Sequence, residues 1–154
     1  KKANMINFNL NKKFDIITCL FSSIGYVKTY SNLRITIQNF SNHLKRGGVL
    51  IIDPWLTKQT YKIGFPHMLV YDGKEIKIAR LDISKIKGDK SILDFNYLIA
   101  EKNKDVKYFK ERHELGLFGI KETLKYMKNL GLKAKFFKNG FRKDRGLYIG
   151  VKIY

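Results

Sequence analysis

Cysteine is all but missing from the chain: Cys19 is the single one among 154 residues. One thiol excludes an internal disulfide and any cysteine-rich zinc site. It sits in an apolar run, where a small buried hydrophobe is favoured over a nucleophile. Long apolar runs are missing too. Val49 to Ile52 stops at Asp53, far short of the ~20 residues of a membrane helix. The N-terminal KKANMINFN has no long apolar core of a signal peptide, so no membrane is expected and the default location is cytoplasmic. Histidine is scarce, at three residues, and no histidine and carboxylate cluster stands at ligand spacing, so no metal site is expected.

Acidic residues are also few, 13 against 31 basic, for a net charge of +18. Clustered lysines release counterions from a phosphate backbone, so the balance raises the possibility of a nucleic-acid-binding module. The distribution argues against it. Only six of the basic residues are Arg, the lysines are scattered over every segment, and no zinc-finger spacing or aromatic RNA-binding motif is present. The field would still draw anionic small molecules such as a diphosphate.

What is there is enough apolar material, 44% with 14% aromatic, to bury the core of one domain. FDIITCL (Phe14 to Leu20) is a nearly continuous β-branched run, the pattern of a parallel strand covered on both faces. Ser31 is placed to cap a helix carrying Leu33, Ile37, Phe40 and Leu44, with Gly47-Gly48 as its stop and Val49 to Ile52 as the next strand. Strand, helix, strand makes a parallel crossover whose strand ends share the ligand-binding edge of the sheet. Beyond Pro54 the pattern turns to alternation through Glu75 to Ile86, Ser91 to Ala100 and Val106 to Phe118, an antiparallel meander with one wet face. A second amphipathic helix (Ile120, Leu124, Met127, Leu130) stops at Gly131, and strands Leu132 to Phe137 and Gly146 to Ile153 follow. His43, near a helix C-terminus, is read as answering the helix dipole, and Ser22-Ser23 as loop or cap residues.

NMINFNLNKKFDIITCLFSSIGYV, HLKRGGVLIIDPW, ERHELGLF and RGLYIGV together resemble S-adenosylmethionine-dependent N,N-dimethyltransferases that act on nucleotide-linked amino sugars. The resemblance implies an α/β fold: the C-terminal part of a Rossmann-like class I methyltransferase sheet, residues 1–66 and 118–154, with an inserted antiparallel meander, 67–117. It implies S-adenosylmethionine as cofactor and a nucleotide-sugar as substrate. It places Asn4, Met5 and Leu20 at the cofactor, Asn4 standing where an acidic residue is usual. Tyr26 falls near the sugar amine, and Trp55, Arg80, His113 and Arg145 fall on the substrate side. Several of these positions also suit ordinary roles: Leu20 and Trp55 in a core, Tyr26 in an exposed loop, Arg80 on the surface, His113 as a structural residue.

In that family these segments follow an N-terminal half with a glycine-rich turn over the cofactor. No Gly-x-Gly turn precedes Phe14, and the thirteen residues before it cannot hold two βα units at ~30 residues per βαβ. The chain alone is therefore expected to bind the cofactor weakly. The apolar edge at Phe14 to Leu20 is expected to be covered by a missing N-terminal half, another chain or a second copy. A catalytically incomplete remnant acting through self-association or a partner is the alternative reading.

Overall fold

In a computed structural model, which describes residues 2–154, the crossover is right where the apolar runs place it. Strand β1 (Phe14–Cys19) pairs in parallel with β2 (Leu44–Ile52), Ile16 to Cys19 lying opposite Val49 to Ile52. Helix α1 (Tyr30–Asn42) joins them and buries Leu33, Ile37 and Phe40 against the sheet. Its cap is Thr29 rather than Ser31: the Thr29 hydroxyl accepts from the Asn32 N–H at 3.2 Å, and Ser31 lies inside the first turn.

The helix also ends earlier than the glycine pair suggests. His43 closes it, and Gly47-Gly48 belongs to β2. Gly47 has φ of +77°, and a Cβ on Gly48 would stand 3.0 Å from the Asp15 carbonyl oxygen, where the β1–β2 register shifts. The pair thus forms an irregularity in the strand, and glycine is required because β1 passes so close. His43 is buried, with Nδ1 2.8 Å from the Asn39 carbonyl. A carbonyl only accepts, so Nδ1 carries the hydrogen, leaving Nε2 to accept from the Leu10 N–H at 3.2 Å. That pair of bonds, rather than a charge on the helix dipole, accounts for the residue.

Helix α2 (Ile120–Asn129) precedes β8 (Leu132–Phe137) and β9 (Leu147–Lys152), which complete a sheet of order β1-β2-β9-β8. Leu50, Ile52, Met127, Leu132 and Tyr148 fill the core between sheet and helices. β1 takes an edge with one open flank: Asp15, Ile16 and Thr18 are exposed, Ile16 by 60%, so the strand is not covered on both faces here. No helix among the described residues is long and apolar enough to cross a membrane.

The second sheet contains β3 (Pro66–Asp72), β4 (Ile76–Ile83), β5 (Lys85–Lys87), β6 (Lys90–Glu101) and β7 (Lys107–Gly116), all antiparallel. β3 is a strand that the alternation did not announce. The run from Glu75 to Ile86 splits at Ser84, whose carbonyl accepts from the Gly64 N–H, so that β4 and β5 share one edge of β6 in tandem. Nor is one face wet and polar: Met68, Leu81 and Leu98 are exposed beside the polar residues.

Candidate functional site

Beyond β1 the chain makes a strained turn. Phe21 (φ 54°) and Ser22 (φ 60°) are both left-handed without being glycine, a conformation that persists only when the surroundings hold it. They are held from three sides. The Phe21 N–H donates to Asp53 Oδ2 at 3.0 Å, the Ser22 hydroxyl donates to the Pro54 carbonyl at 2.9 Å, and Arg145 Nη1 donates to Ser22 Oγ at 2.7 Å. Asp53 follows directly on β2 and is only 4% exposed, yet its Oδ1 has no hydrogen-bond partner. A cleft of about 570 Å³ opens here, lined by Leu20, Phe21, Asp53, Phe141, Arg142 and Arg145. It lies at the C-terminal ends of the parallel strands, where sheets of this kind take ligands.

Two cations line this cleft, an exposed Arg142 and the half-buried Arg145. The Arg145 guanidinium carbon stands 4.3 Å from the Trp55 ring, and its Nε, without a hydrogen-bond partner, is 3.7 Å from the Asp144 carboxylate. Burial lowers its pKa, as does Arg142 nearby, against the opposing pull of Asp144 and Asp53. A cation so poorly compensated gains from an arriving anion. Trp55 is fixed in turn: its indole N–H donates to Ser91 Oγ at 2.9 Å, and Ser91 donates to the Leu115 carbonyl.

A second group of residues lies across the meander. Tyr26 Oη is 2.8 Å from His113 Nδ1, and His113 Nε2 is 3.3 Å from Glu111 Oε1. With the imidazole hydrogen on Nε2, the nitrogen that faces the Glu111 carboxylate, Nδ1 is free to accept from the Tyr26 hydroxyl. Burial pushes the Tyr26 phenol up, and Glu111 adds to the shift, so Tyr26 keeps its proton until a base takes it. Phe95 packs 5.0 Å from the His113 ring, and the Arg80 guanidinium lies 4.2 Å over Phe95. Arg80, Phe95, His113 and Tyr26 thus follow one another along one face.

The 3-10 turn Ser23–Val27 connects the two groups. Ser22 at its start holds Arg145. Gly25 is wedged so that a Cβ there would meet Leu115 at 2.9 Å and Trp55 at 3.3 Å. Tyr26 reaches His113. Of the residues assigned to the cofactor, Leu20 lines the cleft. Asn4 uses its side-chain oxygen to accept from the Ile6 N–H at 3.0 Å, and Met5 packs on the core while its carbonyl accepts from Asn39. Asp53 and Glu111 were not singled out from sequence. The signal for Asp53 is a carboxylate directly ending an apolar strand; for Glu111, its position two residues before His113 on an alternating strand.

No family model matches the chain. It is 29% identical over 150 residues to a dTDP-3-amino-3,4,6-trideoxy-alpha-D-glucopyranose N,N-dimethyltransferase of Streptomyces venezuelae, covering 97% of this chain and 63% of that protein. It is 32% identical over 146 residues to a dTDP-4-amino-2,3,4,6-tetradeoxy-D-glucose N,N-dimethyltransferase of Saccharopolyspora spinosa, covering 95% of this chain and 58% of that one. Among solved structures it matches the sugar N-methyltransferase KedS8 from Streptoalloteichus with a TM-score of 0.90 and 31% identity, covering 99% of this chain and 61% of that one. Its homologues are thus dTDP-amino-sugar N,N-dimethyltransferases, and it has the α/β fold of their class. The chain spans about 60% of the length of the curated relatives it matches.

Proposed function

We propose that the chain is the C-terminal, substrate-side portion of an S-adenosylmethionine-dependent methyltransferase that methylates the amine of a nucleotide-linked amino sugar. The observation that carries this reading is the hydrogen bond between Tyr26 and His113 on the wall of the meander, with the Glu111 carboxylate 3.3 Å from the far ring nitrogen. The feature common to the substrates in both relatives' names, an amino group on a dTDP-linked deoxysugar, supports it.

Methyl transfer to nitrogen needs a neutral, oriented amine and an exit for its proton. S-adenosylmethionine, when bound, supplies the electrophilic methyl group. The Tyr26 oxygen orients the amine by accepting one N–H, and it can pass its own proton to His113 Nδ1 as it takes up the amine's. Glu111 stabilises the imidazolium that results. Arg145 offers its guanidinium to the diphosphate, with Trp55 as its backing, and Arg80, over Phe95 on the His113 side of the meander, is a second substrate-side cation. The cleft fits the cofactor in two respects: its volume suits a small ligand, and Asp53 Oδ1 is a buried acceptor that lacks a donor. Leu20 would pack against the cofactor, and Asn4 and Met5 would meet its adenine.

The open flank of β1 is covered, in this reading, by a strand from polypeptide outside these 154 residues, which also brings most of the cofactor's contacts. The test is mass spectrometry of a dTDP-linked amino sugar incubated with S-adenosylmethionine and the protein. One or two added methyl groups are expected, and none on the corresponding dTDP-sugar without an amine. Methylation of both alike would contradict the assignment.

A further inference from the structure

Beyond His113 the same face of the meander continues into aromatic surface that the chemistry at the amine does not use. The register sets Leu69 of β3, Arg80 of β4, Tyr97 of β6 and Phe109 of β7 directly opposite one another, a single row across the sheet. Phe109 precedes His113 by two strand repeats on β7, which puts the row roughly 13 Å from the histidine at ~3.3 Å per residue. Rings fill the interval. Phe95 is 5.0 Å from the His113 ring and 6.3 Å from Tyr97, and Tyr97 stacks on Phe109 at 4.4 Å with 8° between their planes. Tyr97 is half-buried and Phe109 is 43% exposed, so the stack is open to a ligand.

Arg80 stands between the histidine and that stack. Its guanidinium lies 4.2 Å over Phe95, and its Nε is buried without a hydrogen-bond partner, with Asp82 Oδ1 3.9 Å away. A guanidinium so placed gains from phosphate oxygens, which it can take in pairs. Two parallel aromatic rings offer a flat apolar surface to a third flat ring, and such stacking is how proteins hold single nucleobases. A nucleotide-linked amino sugar carries its parts in the matching order: an amine on a hexose, a diphosphate, then a pentose and a base. Along this wall the order is Tyr26 and His113, then Arg80, then Tyr97 and Phe109.

We propose that Tyr97 and Phe109 form the nucleobase subsite of this surface, with Arg80 donating to the diphosphate between base and sugar. The inference rests on the reading above that the substrate is a nucleotide-linked amino sugar, and adds which residues read the nucleotide. The stack supplies affinity for the base, and its distance from His113 sets how far from the base an amine can sit and still reach Tyr26.

Calorimetric titration of the full chain with thymidine diphosphate and, separately, with inorganic pyrophosphate tests this. The nucleotide should bind about tenfold more tightly than pyrophosphate, the difference being the stacked base. Tyr97→Leu and Phe109→Leu keep apolar bulk but remove a flat ring; each should erase most of that difference and leave pyrophosphate binding unchanged, which also shows the variants folded. Tyr97→Phe should bind as wild type does, and Arg80→Gln should weaken both ligands. Thymidine diphosphate bound equally well by both leucine variants overturns the proposal, as does a wild-type chain that binds the nucleotide no better than pyrophosphate or takes up neither. Methylation of the amino sugar alongside such a result would leave the reading above standing without this subsite. Base discrimination lost in the leucine variants supports the subsite even where no amino sugar is methylated.

Discussion

Tyr26 and His113 are 87 residues apart in sequence and 2.8 Å apart in space, their bond linking the turn after β1 to the meander. This bond is where the two sheets meet in chemistry. The phenol is raised above its ordinary pKa by burial and by Glu111, so it donates to the imidazole rather than ionising. Tyr26→Phe keeps the ring and removes the hydroxyl. In a methyl-transfer assay of the active protein, kcat should fall on the order of 10²-fold with a smaller change in KM. An unchanged kcat would remove Tyr26 from the reaction.

Gly25 sets the position of that tyrosine. A methyl group at this residue would stand 2.9 Å from two Leu115 side-chain atoms and 3.3 Å from Trp55 Cβ. Gly25→Ala should therefore cost about 1–3 kcal/mol in chemical denaturation and displace the turn. A stability equal to wild type would show that the turn has room to spare.

Arg145 and Ser22 should behave as one unit. Arg145→Lys cannot keep both the bond to Ser22 and the stacking on Trp55, and Ser22→Ala leaves the guanidinium without its acceptor. Each should lose roughly 1–2 kcal/mol. The double variant should lose less than the sum, because the shared bond is removed only once. Strict additivity in a double-mutant cycle would mean the contact contributes nothing.

Alkaline stability follows from two buried acids. Burial raises Cys19 from 9.0 to about 12 and Tyr148 from 10.0 to about 12. As pH rises the unfolded chain loses these protons first, so the folded state holds more protons and stability falls. The contribution is intact below pH 9 and is lost progressively as pH climbs toward about 12, by at most ~1.4 kcal/mol per pH unit for each group. Cys19→Ala should flatten the decline most between pH 9 and 10, where the unfolded thiol ionises ahead of the tyrosines. A slope identical to wild type there would contradict the assignment.

β2, α2 and β8 are legible in sequence because buried faces impose their periods directly, VLII as a continuous run and LKAKFF by alternation, while β1 is legible from its β-branched run even though Asp15, Ile16 and Thr18 stand exposed on its open flank. What escaped was governed by contacts distant in sequence. Gly47-Gly48 reads as a helix stop by local rule, but the approach of Asp15 makes it part of a strand. Ser22 looks like a loop residue until Arg145, 123 positions later, donates to it. Tyr26 and His113 were picked out only through a family resemblance; no spacing shows that they touch, and Glu111 completes the series through strand alternation and the fold of β7. Asp53 was in plain view at the end of VLII, but its unpaired oxygen is a property of packing.

The most direct measurement is an NMR titration of this chain with a dTDP-linked amino sugar, following the Trp55 indole, the Arg145 Nε–H and the His113 ring. All three should shift together at one saturable site. The same nucleotide-sugar without its amine should move Trp55 and Arg145 and leave His113 unchanged. Signals that stay still, or a His113 ring that responds equally to both ligands, would contradict the claim that this surface reads the amine of a nucleotide-linked sugar.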